Sequence, residues 1–325
     1  MTKSIKSLAA AGALALALIA PFNAVTPAFA VNAIATIQAV QTQFHYEKID
    51  GVKIAYREAG DQNKPTVLLL HGFPTSSHMY RNLIPQLAKN FHVIAPDYPG
   101  FGASDMPLAK DFEYSFAKIA SMITTLLDRK KIDRYSVYLM DYGAPVGFRM
   151  YAENPERVSG FIIQNGNAYE EGLREFWDPI KAYWAAPTKE NGDKLRGFFE
   201  LSATKWQFTH GTRNPENISP DNFWHVQYLL DRPGNQEVQL ELFLDYGTNV
   251  GEYSKWQALF RKHQTLALLM WGKNDPIFPE EGAHPYKRDL KNLEFHILDT
   301  GHFALEEYGA EIAARMVSFL NRVNN

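Results

Sequence analysis

The sequence predicts an α/β protein with an open, mostly parallel sheet. Short runs rich in Val, Ile, Leu, Tyr and Phe recur along the chain without polar alternation, as expected for strands that are covered on both faces. Amphipathic helical patterns separate several of these runs. With 46% hydrophobic residues in 325, the chain is also long and apolar enough to bury a large core.

The strands are predicted in order from these runs and from turn signals. Asp50-Gly51 lies between the first two and is typical of a hairpin, whereas the third run ends at His71-Gly72. Each later run is four to six residues long and ends at polar or small residues. The predicted strands are 44–50, 52–60, 66–70, 92–95, 135–140, 159–164, 266–271 and 293–298.

Three helices are predicted between or after these strands, over 115–128, 145–153 and 307–323. The alternation stops after Asn167, where a stretch with several helical patterns carries five of the six tryptophans. We therefore expect a core formed by residues 31–167 and 263–325, with a helical cap inserted over 168–262. Such a cap would lie at the sheet edge where strand C-termini end and ligands bind.

The first thirty residues have the pattern of a secretory signal peptide. Lys3 and Lys6 precede an apolar run over 8–20, and the small-residue site Ala-Phe-Ala follows at 28–30. We expect cleavage after Ala30 and export to the periplasm or the medium. A membrane anchor is the alternative, but the run is shorter than the roughly 20 residues that span a bilayer. After cleavage we expect no association with the membrane.

Composition excludes several classes of partner and chemistry. The 33 basic and 36 acidic residues give a net charge of −3, which provides no electrostatic reason to expect nucleic acid. Cysteine is absent, so thiolate sites and disulfides are excluded. The histidines at 210, 225, 263 and 284 lack the spacing of metal ligands. We therefore expect a small-molecule substrate and no metal or organic cofactor.

The residues best suited to chemistry lie at one predicted strand-to-helix turn. A buried strand ends at Asp141, and a helix begins directly with Gly143, Ala and a proline. A turn this tight needs a small residue two positions after the nucleophile, which Gly143 provides, and it raises the nucleophile into the cleft. Asp141 is thus a candidate nucleophile. The alternative is a helix N-cap aspartate, a common structural role.

Three further segments favour the catalytic interpretation. Phe73 follows an apolar strand, so its backbone N–H can join that of Tyr142 in an oxyanion hole. Asp275 and His302 each follow a later strand. The order Asp141, Asp275, His302 matches the order nucleophile, acid, base known from one hydrolase arrangement.

These motifs resemble those of the α/β-hydrolase superfamily, in its aspartate-nucleophile branch of epoxide hydrolases and haloalkane dehalogenases. The resemblance rests on HGFPTSS at 71–77, DYPGFGASD at 97–105, MDYGAPVG at 140–147, WGKNDP at 271–276 and DTGHF at 299–303. It implies the α/β-hydrolase fold, a mostly parallel sheet flanked by helices with an inserted helical cap. Leu139 departs from the small residue often found two positions before the nucleophile.

The resemblance also implies a mechanism and a small, apolar, electrophilic substrate. Asp141 would displace a leaving group from an sp³ carbon and become an ester. His302, oriented by Asp275, would then activate the water that cleaves this ester. The Phe73 and Tyr142 amides would hold the tetrahedral oxyanion. No GxSxG motif is present.

The leaving group separates the two relatives. Dehalogenases resembling this chain hold the halide with Trp or Asn at positions occupied here by Tyr142 and Phe73, so we expect an epoxide hydrolase, with haloalkane dehalogenase as the alternative. Epoxide hydrolases use two cap tyrosines, for which Tyr183 and Tyr246 are the candidates. Further candidates are Tyr169 and Tyr228 as reserve tyrosines, and Trp177 and Trp184 as halide donors. Hydrolysis of activated esters or haloacids, or ligand binding without turnover, also remain open.

Overall fold

The computed structural model describes residues 41–324, so the predicted signal peptide over 1–30 lies outside the described residues. An eight-stranded sheet runs through this part of the chain. Its strands lie close to the predicted ranges. They are β1 Gln43–Ile49, β2 Val52–Ala59, β3 Thr66–Leu70, β4 His92–Pro96, β5 Tyr135–Met140, β6 Val158–Gln164, β7 Ala267–Gly272 and β8 Leu293–Leu298.

The strand order is β1-β2-β4-β3-β5-β6-β7-β8. β1 pairs antiparallel with β2, and β2 antiparallel with β4, whereas every later pair is parallel. The C-terminal ends of β3, β5, β6, β7 and β8 therefore meet at one edge of the sheet. This edge is where open α/β sheets bind ligands.

Helices cover both faces of the sheet. Successive residues of β3 show how the faces alternate, because Val67 and Leu69 pack in one buried cluster and Leu68 and Leu70 in the other. The cluster with Leu68 and Leu70 contains residues of α2 and α3, and the cluster with Val67 and Leu69 contains residues of α1 and α10. The α-helices are α1 Ile84–Leu87, α2 Phe116–Arg129, α3 Gly143–Glu153, α4 Asp178–Ala185, α5 Lys189–Lys194, α6 Leu201–Thr209, α7 Pro220–Leu230, α8 Asn235–His263, α9 Tyr286–Asp289 and α10 Leu305–Val323.

The chain between β6 and β7 contains helices α4 to α8 and short 3-10 turns. This is the segment that the sequence assigns to a cap over 168–262. Its last helix, α8, is 29 residues long and ends at His263, directly before the chain enters β7. We refer to residues 168–262 as the cap segment below.

One expectation about the strands is wrong. The sequence predicts that 293–298 is covered on both faces, but five of the six residues of β8 are only half-buried, and Leu298 alone is buried. β8 lies at the edge of the sheet and pairs only with β7. An apolar run therefore predicted the strand correctly without revealing its edge position.

None of the helices described for this chain combines the length and the apolar composition needed to cross a membrane.

Candidate active site

Asp141 lies at the turn between β5 and α3, with a left-handed backbone conformation (φ 51°). The turn is tight because Gly143 sits against β3, where an added Cβ would lie 2.2 Å from the Leu70 carbonyl oxygen. Only glycine fits there without movement of the backbone. The carboxylate is thereby raised above the end of the sheet, although it is only 4% exposed.

Leu139, the residue that departs from the usual pattern, is accommodated by a second glycine. A Cβ added at Gly147 on α3 would lie 2.2 Å from Cδ2 of Leu139. The Leu139 side chain thus occupies the space that is left because residue 147 has no side chain. The strand and the helix remain closely packed on either side of Asp141.

One oxygen of the Asp141 carboxylate accepts both backbone N–H groups that the sequence assigns to an oxyanion hole. Phe73 N and Tyr142 N each lie 2.6 Å from Asp141 Oδ1. The close approach of the Phe73 N–H group to Asp141 depends on Gly72, because a Cβ added at residue 72 would lie 2.2 Å from the Cβ of Asp141. The second oxygen, Oδ2, is turned toward His302.

His302 and Asp275 lie beside this carboxylate. Nδ1 of His302 is 2.7 Å from Asp275 Oδ2, and Nε2 is 3.8 Å from Asp141 Oδ2. Nε2 has no hydrogen-bond partner among the described residues. The imidazole is therefore oriented by Asp275, and its Nε2 faces the Asp141 carboxylate without a hydrogen bond. The structure brings Asp141, Asp275, His302, Phe73 and Tyr142 together at one sheet edge.

Asn165, which the sequence analysis did not single out, ties the site together. It follows β6 directly, and its Nδ2 donates to Asp275 Oδ2 at 2.9 Å. Its Oδ1 accepts from Gly272 N, and its backbone oxygen accepts from Asp141 N. The signal was available, because a polar residue directly after a buried strand at this edge can reach the residues that follow the neighbouring strands.

Gln164 is a second residue that the sequence analysis missed. Its Nε2 donates to the backbone oxygen of His302 at 3.0 Å, and its Oε1 accepts from the Tyr138 hydroxyl. Gln164 is fully buried at the end of β6. It fixes the loop that carries the histidine.

The loops that follow β3 and β4 are held in place by His71 and Asp97. His71 is buried, which lowers its pKa to about 4 and keeps the ring neutral. Its Nε2 accepts from Tyr98 N at 3.2 Å. Asp97 accepts from the backbone N–H groups of Ser77 and Ala103 at 2.7 and 2.9 Å. These bonds hold the loops that follow β3 and β4 next to the oxyanion hole.

The side chains of Asp141 and His302 have shifted pKa values. Burial raises the pKa of Asp141 to about 6, although nearby His302 and the two backbone N–H donors oppose this. Burial also opposes protonation of His302, but the carboxylates of Asp275 and Asp141 outweigh it and raise the pKa of the imidazole. Shifts of this kind are typical of functional sites.

A small cavity of about 30 Å³ lies over Asp141. It has room for about two water molecules. Side chains of the cap segment and of the loop after β7 form most of its wall, and they are largely apolar. The lining residues are Phe73, Asp141, Tyr142, Phe176, Trp177, Ile180, Phe198, Gln207, Phe243 and Ile277. A larger groove of about 800 Å³ between 109–115 and the cap segment does not include Asp141.

The cap tyrosines do not line this cavity. Tyr183 is half-buried and lies beside Gly192, where an added Cβ would be 3.4 Å from its ring. The charges of Glu241 and Arg196 act on its hydroxyl. The geometry therefore gives no support to its predicted role. Tyr246 is buried, with its ring 4.5 Å from that of Trp177 and 6.0 Å from that of Tyr142. Its hydroxyl has no hydrogen-bond partner among the described residues, and its role stays a prediction.

The remaining candidates in the cap segment either donate their hydrogen bonds to other protein groups or are exposed. The indole N–H of Trp177 donates to the Ile277 carbonyl oxygen at 2.7 Å, and that of Trp184 donates to Phe243 at the same distance. Neither indole is free to hold a halide. Tyr169 donates its hydroxyl to Asp289, and Tyr228 is 76% exposed.

Within residues 41–324, no cluster of three or more His, Asp or Glu side chains has the arrangement of a metal site.

Comparison with known proteins identifies the family. A model of the alpha/beta hydrolase fold matches residues 65–308. The haloalkane dehalogenase of Psychrobacter cryohalolentis is 35% identical over 302 residues, covering 85% of this chain and 92% of that protein. The chain belongs to the α/β-hydrolase family, in its haloalkane dehalogenase-like branch. This confirms both the fold class and the resemblance predicted from the sequence.

One further relative and one solved structure extend the comparison. An uncharacterized hydrolase of Saccharomyces cerevisiae is 43% identical over 291 residues, covering 88% of this chain and 98% of that protein. The haloalkane dehalogenase DbeA of Bradyrhizobium elkanii superposes with a TM-score of 0.70 at 22% identity, over 87% of this chain and 99% of that structure. At this identity, the second likeness shows the fold alone. We conclude that the protein is a hydrolase of the haloalkane dehalogenase-like type.

Proposed function

We propose that this hydrolase opens small, apolar epoxides to diols through a covalent ester on Asp141. The observation that carries the proposal is the position of the two carboxylate oxygens. Oδ1 is held by the Phe73 and Tyr142 N–H groups, whereas Oδ2 accepts no hydrogen bond from the described residues. Oδ2 is therefore the oxygen available to attack a carbon atom in the cavity.

A carboxylate nucleophile suits a saturated carbon. A serine would form a stable ether with an epoxide or alkyl halide, whereas a carboxylate forms an ester that water can cleave. In the first step, Asp141 Oδ2 forms a bond to the substrate carbon and the carbon–oxygen bond of the epoxide breaks. The electron pair of the broken bond stays on the epoxide oxygen.

The same geometry serves the second step. His302 Nε2 takes a proton from water, which attacks the Asp141 carboxyl carbon, and Asp275 stabilises the imidazolium that results. Negative charge then develops on Oδ1, which already lies 2.6 Å from both N–H groups. Donors placed before the charge develops stabilise it without reorganisation. As this intermediate collapses, the bond between the Asp141 carboxyl carbon and Oδ2 breaks, and the diol leaves with that oxygen and takes the proton held by His302. The oxygen from water stays in the restored Asp141 carboxylate.

The donor groups around the cavity favour an epoxide over a halide. The residues at the two positions used for halide binding in related enzymes are Phe73 and Tyr142, whose side chains offer no N–H group. The indole N–H of Trp177 is engaged by Ile277. The side chains at these positions therefore lack the N–H pair that holds a halide in related enzymes, which counts against a halide as the leaving atom.

Haloalkane dehalogenation is the second candidate. The observation that favours it is the 35% identity to a haloalkane dehalogenase over 85% of this chain. The nucleophile, the base and the oxyanion hole would act as above, and only the leaving atom would differ. In either case the proposal requires substrate and water alone. We also propose that the enzyme acts after export, because residues 1–30 have the pattern of a signal peptide.

Replacement of His302 by Ala tests the covalent route. Without the base, the ester should form but not be hydrolysed, so the protein should gain mass when it is mixed with a substrate. An epoxide should add its whole mass to the peptide that contains Asp141, whereas a haloalkane should add its mass less that of the hydrogen halide. Mass spectrometry of the intact protein and of its peptides measures both.

Two controls sharpen this experiment. His92 is equally buried but hydrogen-bonds Glu58, so His92→Ala should accumulate no adduct. The double variant with Asp141→Asn should also form none. An adduct with haloalkanes and not with epoxides would select the second candidate. No adduct with either class would contradict the covalent route and favour ligand binding without turnover.

A further inference from the structure

Gln207 is a buried polar residue in the cavity wall that the mechanism above does not use. It lies on α6, is 5% exposed and lines the cavity together with Asp141. Within residues 41–324, its carboxamide makes no hydrogen bond to the protein, unlike the buried Gln227 on the adjacent helix, which bonds Phe199, Thr204 and Asp231. Because no group of the described protein accepts its amide N–H groups, a ligand in the cavity can accept a hydrogen bond from them.

Apart from the Tyr142 hydroxyl, the other lining side chains have no donor that is free of a protein partner. Six of them, Phe73, Phe176, Ile180, Phe198, Phe243 and Ile277, have apolar side chains. The Trp177 indole N–H is engaged by a backbone oxygen. The Tyr142 hydroxyl is buried, with its ring packed edge-on against Phe116.

α6 holds Gln207 firmly beside the catalytic loop. The ring of Phe208, the next residue, stacks on Phe303 with centroids 4.3 Å apart, and Phe303 follows His302 directly. Thr204, one turn earlier, donates its hydroxyl to Gln227. Because α6 is anchored on both sides of residue 207, the carboxamide is held in place without using its own hydrogen-bonding groups.

We propose that Gln207 donates an amide N–H to the atom that leaves the substrate carbon when Asp141 attacks. This inference rests on the proposed function. As the bond from Asp141 Oδ2 to carbon forms and the bond from carbon to the leaving atom breaks, the electron pair passes to that atom as an alkoxide or a halide. Gln207 stabilises the charge and keeps its proton. An alkoxide then takes a proton from solvent, whereas a halide departs as the anion.

The leaving atom needs such a donor because the cavity is small and mostly apolar. An anion transferred from water to apolar surroundings without a hydrogen bond is strongly disfavoured. Gln207 is thereby assigned as a further catalytic residue that sets which leaving groups the enzyme can expel. Its contribution should be greatest for poor leaving groups, which carry the most charge in the transition state.

The test measures the rate of ester formation in the His302→Ala background, with and without Gln207→Leu. The substrates are 1-chloro-, 1-bromo- and 1-iodobutane, together with styrene oxides that carry ring substituents of increasing electron withdrawal. Removing one donor to a developing anion typically costs about 10²- to 10³-fold. We expect a loss of about that size for chloride and for the least activated epoxide, and a much smaller loss for iodide. The concentration of substrate at half-maximal rate should change little.

Gln239→Leu in the same background is the matched control, because Gln239 is a fully buried glutamine on α8 that donates to Asn235 and does not line the cavity. It should leave the ratio of the chloride and iodide rates unchanged, whatever its effect on melting temperature. Gln207→Met provides a second variant of similar shape. Equal losses for all leaving groups, or no loss, would overturn the role of Gln207. If His302→Ala alone forms no adduct, the proposed function fails instead, so the two failures are distinguishable.

Discussion

The residues at the strand ends and the residues of the cap segment meet at the same cavity but are positioned in different ways. Asp141, Asp275 and His302 each follow a strand or a short loop after one, and each is fixed by hydrogen bonds to neighbouring loops. The cap residues around the cavity are held mainly by ring packing, as Phe243 is by Phe73 and Phe199.

This difference explains which parts of the site tolerate change. The backbone of the parallel sheet sets the positions of the strand-end residues. A substitution of a neighbouring side chain should therefore shift them little. Cap residues depend on which face of a short helix points inward and on how bulky neighbours pack. We therefore expect the chemistry to be fixed by the sheet edge, and the choice of substrate by the cap segment.

The largest expected effect is at Asp141. Asp141→Asn should lower kcat/KM by about 10⁴-fold or more, the size of loss typical when a catalytic nucleophile is removed. The same variant should be more stable than the wild type, because a carboxyl pKa raised from 3.8 to about 6 corresponds to about 3 kcal/mol against the folded, ionised state. Activity assays and thermal melts measure the two effects.

The sign of the stability change depends on pH. Because the folded-state pKa of Asp141 lies above its unfolded value, the penalty is fully present above about pH 6 and disappears as the pH falls toward 4. The melting temperature of Asp141→Asn should therefore exceed that of the wild type at pH 8 and approach it at pH 4. Asp289→Asn is the control, since this buried carboxylate pairs with Arg261 at 2.8 Å and its loss should lower the melting temperature. A less stable Asp141→Asn at pH 8 would contradict the account.

A smaller effect is expected at Asn165. Asn165→Ala removes the amide that donates to Asp275 Oδ2, and a hydrogen bond to a charged group contributes about 1.5–3 kcal/mol, equivalent to about tenfold to a hundredfold in rate. Because Asp275 acts on the second step, the ester should accumulate during turnover. Quenched-flow mass spectrometry measures the fraction of enzyme that carries it.

Asn167→Ala is the matched control for this variant. Asn167 is buried in the same loop and donates to the Gly172 carbonyl oxygen, without touching the catalytic residues. It should leave the ester fraction at the wild-type level. Accumulation in both variants would mean that the loop as a whole, and not the Asn165 amide, positions Asp275.

The sequence predicted most of the fold and the meeting of the candidate site residues at the strand ends, because both follow from local rules. A buried strand ending at Asp141 and a glycine at 143 determine a tight turn, and parallel strands place Asp275 and His302 at the same edge. Asn165 obeys the same rule and could have been found. The partial exposure of β8 could not have been predicted, because an apolar run does not reveal which strand lies at the edge of the sheet.

The cap segment was harder to predict for a physical reason. Tyr183 and Trp184 are adjacent on α4, so they point in different directions, and a one-residue difference decides which side chain meets the core. Trp177 offers an indole in the right place, yet its N–H is taken by Ile277. Gln207 lies on a helix with little amphipathic pattern. Such details depend on packing between helices, which spacing along the chain does not specify.

The smallest expected effects are at the two cap tyrosines. Tyr183→Phe should change epoxide turnover by less than about twofold, because Tyr183 lies beside Gly192 and does not line the cavity. Tyr246→Phe should change epoxide turnover by less than about threefold, since its ring packs against Trp177 and Tyr142 and does not line the cavity itself. Steady-state kinetics with one epoxide and one haloalkane measure both variants. A hundredfold loss of activity of Tyr246→Phe on the epoxide alone would show that this hydroxyl reaches the leaving oxygen once substrate binds. It would also show that cap residues are positioned as precisely as the residues at the strand ends.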